Sequence, residues 1–363
     1  MTILKRSPPS TLDVVALRLQ SQRLAGNPLS KPADVVRWFG AVQAQDYAAA
    51  SWAIGQRSEA VTSAVVDRAL ERGAIVRTHV LRPTWHFVAP EDVRWMLALT
   101  GPRVIAGQRG RHRQLGLDAA TIRRAIATIA SALERHNLLT RDELGVALKR
   151  ARIDPAGQRL PHLLMLAELH GLVCSGGRRG KQFTYTLLDA RVPAARVLPR
   201  EEALVELARR YLRSHGPATI HDFSWWSGLS VGDARAAFEM NASRLSRFEV
   251  DGRAYWYAPA GKATMSIGRL AHLLPSYDEY DVAYRFRGGS FDGALRAAPA
   301  FDALSPRLFV GGKLRGGWRR TVAKDRVIVD VDPSTPLTSR ERTATAAAVK
   351  RYGTFLGLPA MPA

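Results

Sequence analysis

At 363 residues, with 46% hydrophobic and 23% charged side chains, the chain can bury two or three cores and has the balance of a soluble globular protein. Its 53 basic residues against 32 acidic ones give a net charge of +21 and a pI near 11.0, which excludes an acidic or neutral surface and points to a polyanionic partner, nucleic acid before membrane. Only eight of the basic residues are lysine, so an arginine-biased proteome is the bland source of the same excess.

The first residues, MTILKRSPPSTLD, lack the apolar core of a signal peptide, and no later run approaches membrane-spanning length. Helices are expected over 12–24 and 31–40. Gly40 stops the second, and Asp46 can cap a further helix that begins YAAASWAIG. Between them AVQAQD (41–46) leaves 42–45 as a non-helical connector. In extended backbone positions i and i+2 share a face, so Gln43 and Gln45 can point the same way. A helix over about 62–72, closed by Gly73, precedes a hairpin of 75–79 and 84–88.

The middle of the chain reads most clearly. A helix covers 119–134, a capping box at Thr140 and Glu143 opens a second to about 150, and a third runs over 158–170 to Gly171. Strands at 172–174 and 183–188 flank the turn 175–181. The pattern recurs with a helix at 201–213, capped helices opening at Thr219 and Ser230, and a hairpin of 248–250 and 255–257 around Asp251-Gly252, a type I′ turn. From about 265 the chain changes, with strand-like 308–321 and 326–331 and a last helix over 338–351.

These elements predict a mainly α chain with β-hairpin wings (α+β). It comprises three tandem winged helix-turn-helix units, at 1–117, 118–195 and 196–264, and a small β-rich C-terminal domain at 265–363. The third helix of the middle unit, QRLPHLLMLAELH, is apolar almost all round and therefore buried, so it cannot read a major groove. Its wing carries Arg178, Arg179 and Lys181 and is the better phosphate contact. The single cysteine, Cys174, sits in an apolar run, excludes an intramolecular disulfide, and suits a reducing compartment.

Several chemistries are poorly supported. GGRRGKQ (176–182) has three residues where a phosphate loop needs four, and Gln182 stands where Ser or Thr must be. HExxH and ligand-spaced histidines are missing from the sequence, and no GxSxG nucleophile elbow is expected, since GLSVG at 228–232 joins two expected helices and follows no strand. The paired amides at 43 and 45 either bond a nearby loop or address one target together. Asp46 is either a helix cap or a general base.

VQAQD at 42–46, VRTHVLRPTWHFV at 76–88, HDFSWWSGL at 221–229, LLPSYDEYDVAYRFR at 273–287 and VGGKLRGGWRR at 310–320 resemble the AlkZ-like family of winged-helix DNA glycosylases. The resemblance covers 12–355. It implies a Gln-aliphatic-Gln catalytic signature at Gln43 and Gln45, with Ala44 smaller than the usual central residue. It also implies a monofunctional enzyme that removes cationic N7-alkylpurines, crosslinks included, from double-stranded DNA, in repair or toxin self-resistance. No cofactor and no metal are implied, nor a membrane, and the expected protein is a cytoplasmic, nucleoid-associated monomer. A non-catalytic winged-helix DNA-binding regulator is the alternative.

Beside the pair, Thr84 and His86 share one strand face and are expected to line the same pocket as Asp46, a satisfied structural histidine being the alternative. Arg77 and Arg82 are expected at the DNA. Trp85 is expected in the core, Trp225 and Trp226 in packing roles, and Asp278 and Asp281 in fixing the C-terminal region to the helical units.

Overall fold

The computed structural model describes residues 11–192, 196–259, 267, 270–286 and 305–363. The expected boundaries near 195 and 264, and Arg287 of the motif at 273–287, lie outside the described residues.

The first region holds α1 (Thr11–Ser21), α2 (Pro32–Phe39), β1 (Ala41–Gln43), α3 (Tyr47–Gly55), α4 (Ser63–Glu71), β2 (Val76–Val80) and β3 (Arg82–Val88). Gly40, at φ 81°, breaks α2 in a backbone conformation that favours glycine. Asp46 caps α3, accepting from the Ala49 N–H at 3.0 Å. The segment after Gly40 is more than an isolated connector. It is a strand, and the sheet order is β1-β3-β2. Two helices beyond those expected from the sequence, α5 (Val93–Gly107) and α6 (Arg109–Gln114), lead out of this region.

The second region contains α7 (Ala119–His136), β4 (Leu139–Thr140), α8 (Arg141–Arg150), α9 (Arg159–Leu169), β5 (Val173–Arg179), β6 (Gln182–Leu187) and the short α10 (Leu188–Arg191). The capping box forms as its residues dictate, with Thr140 and Glu143 exchanging side-chain-to-backbone bonds. The same Thr140 also ends β4, which pairs with β6. In the third region are α11 (Arg200–His215), α12 (Ile220–Ser227), α13 (Val231–Met240), β7 (Ser246–Val250) and β8 (Arg253–Tyr257). Asp251 and Gly252 both take positive φ, as a type I′ turn requires.

The C-terminal region comprises β9 (Ala271–Leu274), α14 (Glu279–Val282), β10 (Arg307–Val310), β11 (Lys313–Val322), β12 (Val327–Pro333), α15 (Ser339–Leu356) and β13 (Ala360–Pro362). Its five described strands are ordered β13-β12-β11-β10-β9, antiparallel except for the β12–β13 pair.

The cores cut across these regions. Among the described residues only the second region has a core wholly its own, built on Ile129, Leu144, Leu163 and Val173. One face of the β1-β3-β2 sheet joins Ala41, Val76 and Val88 to Leu207, Phe223 and Trp226 of the third region. The other face joins Val42, Ala44 and Phe87 to Leu308, Trp318 and Tyr352 of the C-terminal region. Trp52 locks that second junction, donating to the Leu273 carbonyl at 2.7 Å and meeting Tyr352 edge-on at 4.9 Å. The glutamine strand thus lies where three regions converge.

Candidate active site

Gln43 stands opposite His86 in the β1–β3 ladder, and His86 stands opposite Thr78 in β2–β3. Directly opposed residues project to the same face, so Thr78, His86 and Gln43 form a row across the three strands. The Ala44 N–H bonds the Trp85 carbonyl at 2.7 Å, which makes the neighbouring Gln43–His86 pair a non-hydrogen-bonded one, the arrangement that brings side chains closest. It also turns the Gln43 N–H away from β3.

That N–H donates to Oε1 of Glu279 at 2.7 Å. Glu279 is fully enclosed and also accepts from Trp226 Nε1 at 3.0 Å and His215 Nε2 at 3.3 Å. Burial would raise its pKa, but the bonds from His215 and the Gln43 N–H, with the charge of Arg82 nearby, pull it down to about 2. Burial holds His215 below the usual imidazole range, so it is a neutral donor through Nε2, its Nδ1 lying 2.8 Å from the Ser214 hydroxyl. From the other side, Arg77 Nε donates to the Ala44 carbonyl at 3.0 Å. The motif backbone is therefore pinned by a buried acid at one residue and a buried base at the next.

The row itself is different. Gln43 Oε1, Thr78 Oγ1, Thr84 Oγ1 and His86 Nε2 are all buried and have no hydrogen-bond partner among the described residues. Thr84 and His86 are two apart on β3 and share this face. His86 Nδ1 lies 2.9 Å from the Thr84 carbonyl, so Nδ1 carries the proton and Nε2 presents a lone pair. Burial, and then the charge of Arg82, lowers the pKa of His86 to about 3, which keeps the ring neutral. Half-buried Arg82 has Nε and one terminal nitrogen without a partner among the described residues.

Other expected residues lie elsewhere. Gln45 is exposed at a bend just beyond β1, and Asp46 is exposed with its carboxylate on the α3 cap. Arg77 does not reach the surface: its guanidinium is buried between the Trp85 and Phe183 rings, at 4.4 and 4.7 Å, and contacts Ser175 Oγ at 3.4 Å. Its own bonds to the motif and to β5 draw it inward. Arg178 lies over Tyr47 at 5.6 Å, Arg179 is paired with Glu143 at 2.8 Å, and Lys181 is exposed.

Trp85 is part-buried and lines a cleft of about 530 Å³ with Arg141 and Gln182, because its Nε1 reaches Glu168 and its ring lies tilted against His79 at 4.4 Å. Trp226 is buried, whereas Trp225 is 49% exposed, its indole N–H bound to the Val282 carbonyl. Asp278 holds Arg57 of the first region with two bonds of 2.7 and 2.8 Å, and Asp281 pairs with Arg307 at 2.9 Å. Sequence reasoning passed over Glu279, His215 and Thr78. Glu279 lies inside the 273–287 motif, and an acid among apolar and aromatic neighbours was the available signal.

A cavity of about 940 Å³ between β12 and α15 holds none of these residues. Among the described residues no three His, Cys, Asp or Glu side chains are grouped to hold a metal, and no helix is long and apolar enough to cross a membrane.

The sequence model of the DNA glycosylase AlkZ-like family matches residues 36–355, and the chain belongs to that family. It is 25% identical over 343 residues to the interstrand DNA cross-link repair glycosylase of Streptomyces sahachiroi, which spans 89% of this chain and 90% of that protein. The solved structure of Streptomyces sahachiroi DNA glycosylase AlkZ has the same fold. It superposes with a TM-score of 0.78 at 22% identity, covering 98% of this chain and all of that one.

Proposed function

We propose that this protein is a monofunctional DNA glycosylase that hydrolyses the N-glycosidic bond of cationic N7-alkylpurines, interstrand crosslinks included, in DNA repair or toxin self-resistance. The observation that carries the reading is the Gln43 amide oxygen, buried without a described partner on a strand whose backbone is held from both sides. A buried acceptor of that kind needs a ligand to complete it. The crosslink-repair name of the Streptomyces relative supports extending the substrate class to crosslinks.

Alkylation at N7 makes the base a positively charged leaving group, so no strong acid is required. What remains is to hold a water against C1′ as the sugar becomes oxocarbenium-like. Gln43 orients that water, and exposed Gln45 meets the nucleotide at the rim. No step needs a metal or an organic cofactor. The three helix-and-hairpin regions act as winged helices that shape a basic surface, on which Arg178 and Lys181 contact phosphate. Arg82, with donors to spare beside the site, takes a phosphate next to the lesion. The enzyme works as a monomer on double-stranded DNA in the cytoplasm, at the nucleoid.

The test compares single-turnover release of 7-methylguanine with duplex-binding isotherms. Gln43→Ala and Gln45→Ala should each remove most excision and leave binding nearly unchanged, since neutral side chains release no counterions. Uracil, hypoxanthine and 8-oxoguanine should stay in place, and borohydride should trap no covalent species. Tight binding by the wild type without any base release would make the protein a DNA-binding regulator instead. Efficient uracil removal would overturn the charge-driven mechanism.

A further inference from the structure

Water has two hydrogens to place if both its lone pairs are to remain free for an electrophilic carbon. That takes two acceptors, neither carrying a proton. Gln43 Oε1 is one. The opposed side chain in the same non-hydrogen-bonded pair is His86, whose Nδ1 is committed to the Thr84 carbonyl and whose Nε2 is buried without a described partner. His112, His162 and His272 also leave a ring nitrogen without a described partner, but His86 alone of these stands directly opposite Gln43, so its open nitrogen and the open amide oxygen share one strand pair.

Resting on the glycosylase reading of this site, we propose that His86 is a second catalytic residue. Its Nε2 accepts one O–H of the hydrolytic water while Gln43 accepts the other, and it then receives the proton that water loses. As the water oxygen bonds to C1′, the C1′–N9 bond breaks and its electron pair leaves with the base, which departs neutral because it began cationic. The attacking oxygen is then an oxonium, a strong acid, so a weak base suffices to take its proton. The imidazolium so formed lies near Arg82, whose charge repels it and drives release of the proton to solvent.

Asparagine at position 86 can keep the donor to the Thr84 carbonyl but brings no acceptor to the Nε2 position, whereas glutamine reaches that position with an amide oxygen. His86→Asn should lower single-turnover release of 7-methylguanine by about 100-fold, and His86→Gln should recover at least about tenfold of that loss. Both variants should bind undamaged duplex as the wild type does. Excision by His86→Asn within about threefold of wild type overturns the proposal. So does a loss of DNA affinity in step with rate in both variants, since the ring would then serve the fold. Wild-type excision is measured first, because its absence sinks the glycosylase reading itself, separately from the role of His86.

Discussion

The two faces of the β1-β3-β2 sheet carry similar numbers of polar side chains and treat them in opposite ways. On one face Arg77 bonds the Ala44 carbonyl and Ser175, and His79 and Trp85 both bond Glu168 of α9. On the other, Gln43, Thr78, Thr84 and His86 each bury a polar atom that no described residue satisfies. An unpaired buried polar group costs about 1–3 kcal/mol. Single atoms of that kind also occur elsewhere, at His272 and Thr345 for example, but four of them in one row on one sheet face mark the place where a ligand or water would complete them.

The largest effect that would sharpen this contrast is in acid. His86 on the open face has a folded pKa near 3, below the unfolded value of 6.5, so the unfolded state takes up the proton first. Its contribution to stability is complete above pH 6.5 and is lost as the pH falls toward 3, about 4 kcal/mol at roughly 1.4 kcal/mol per pH unit. Buried His272 titrates in the same window, so the slope should flatten in His86→Gln without vanishing. Denaturant melts across that range measure it. Identical slopes in variant and wild type would mean that the ring is solvated and the open face is not dry.

The second effect is a difference between faces. Arg77→Ala strips the closed face of charged hydrogen bonds and ring contacts, and should cost about 3 kcal/mol in a urea melt, with excision falling alongside. Gln43→Leu removes an unsatisfied acceptor, and should stay within about 1 kcal/mol of wild type while excision is lost. Equal destabilisation by the two would erase the distinction.

The smallest effect lies at the β5–β6 hairpin. Arg178→Ala should weaken binding to all duplexes alike and lower the salt slope by about 1. Arg179→Ala should change it less, because that side chain already pairs with Glu143. An unchanged slope for Arg178→Ala would take this hairpin out of the interface.

Much of this architecture could be read before any coordinates, because it follows from near neighbours in the chain. The capping box at Thr140, the helix cap at Thr219, the glycine stop after α2 and the type I′ turn at Asp251-Gly252 depend on atoms a few residues apart. So does the inference that Gln43 lies in extended backbone. Glu279 reaches the Gln43 N–H across 236 residues, and Arg77 turns inward because Ala44 and Ser175 wait there, 33 and 98 residues away. Residue type placed Trp226 rightly in packing but could not tell it from its neighbour, since only the docking of α12 beside α14 decides that Trp226 is enclosed and Trp225 is 49% exposed. Periodicity and turn chemistry are local energies and can be read along one dimension. Which buried polar atom finds a partner is a property of the three-dimensional packing, and that choice separated the open face from the closed one.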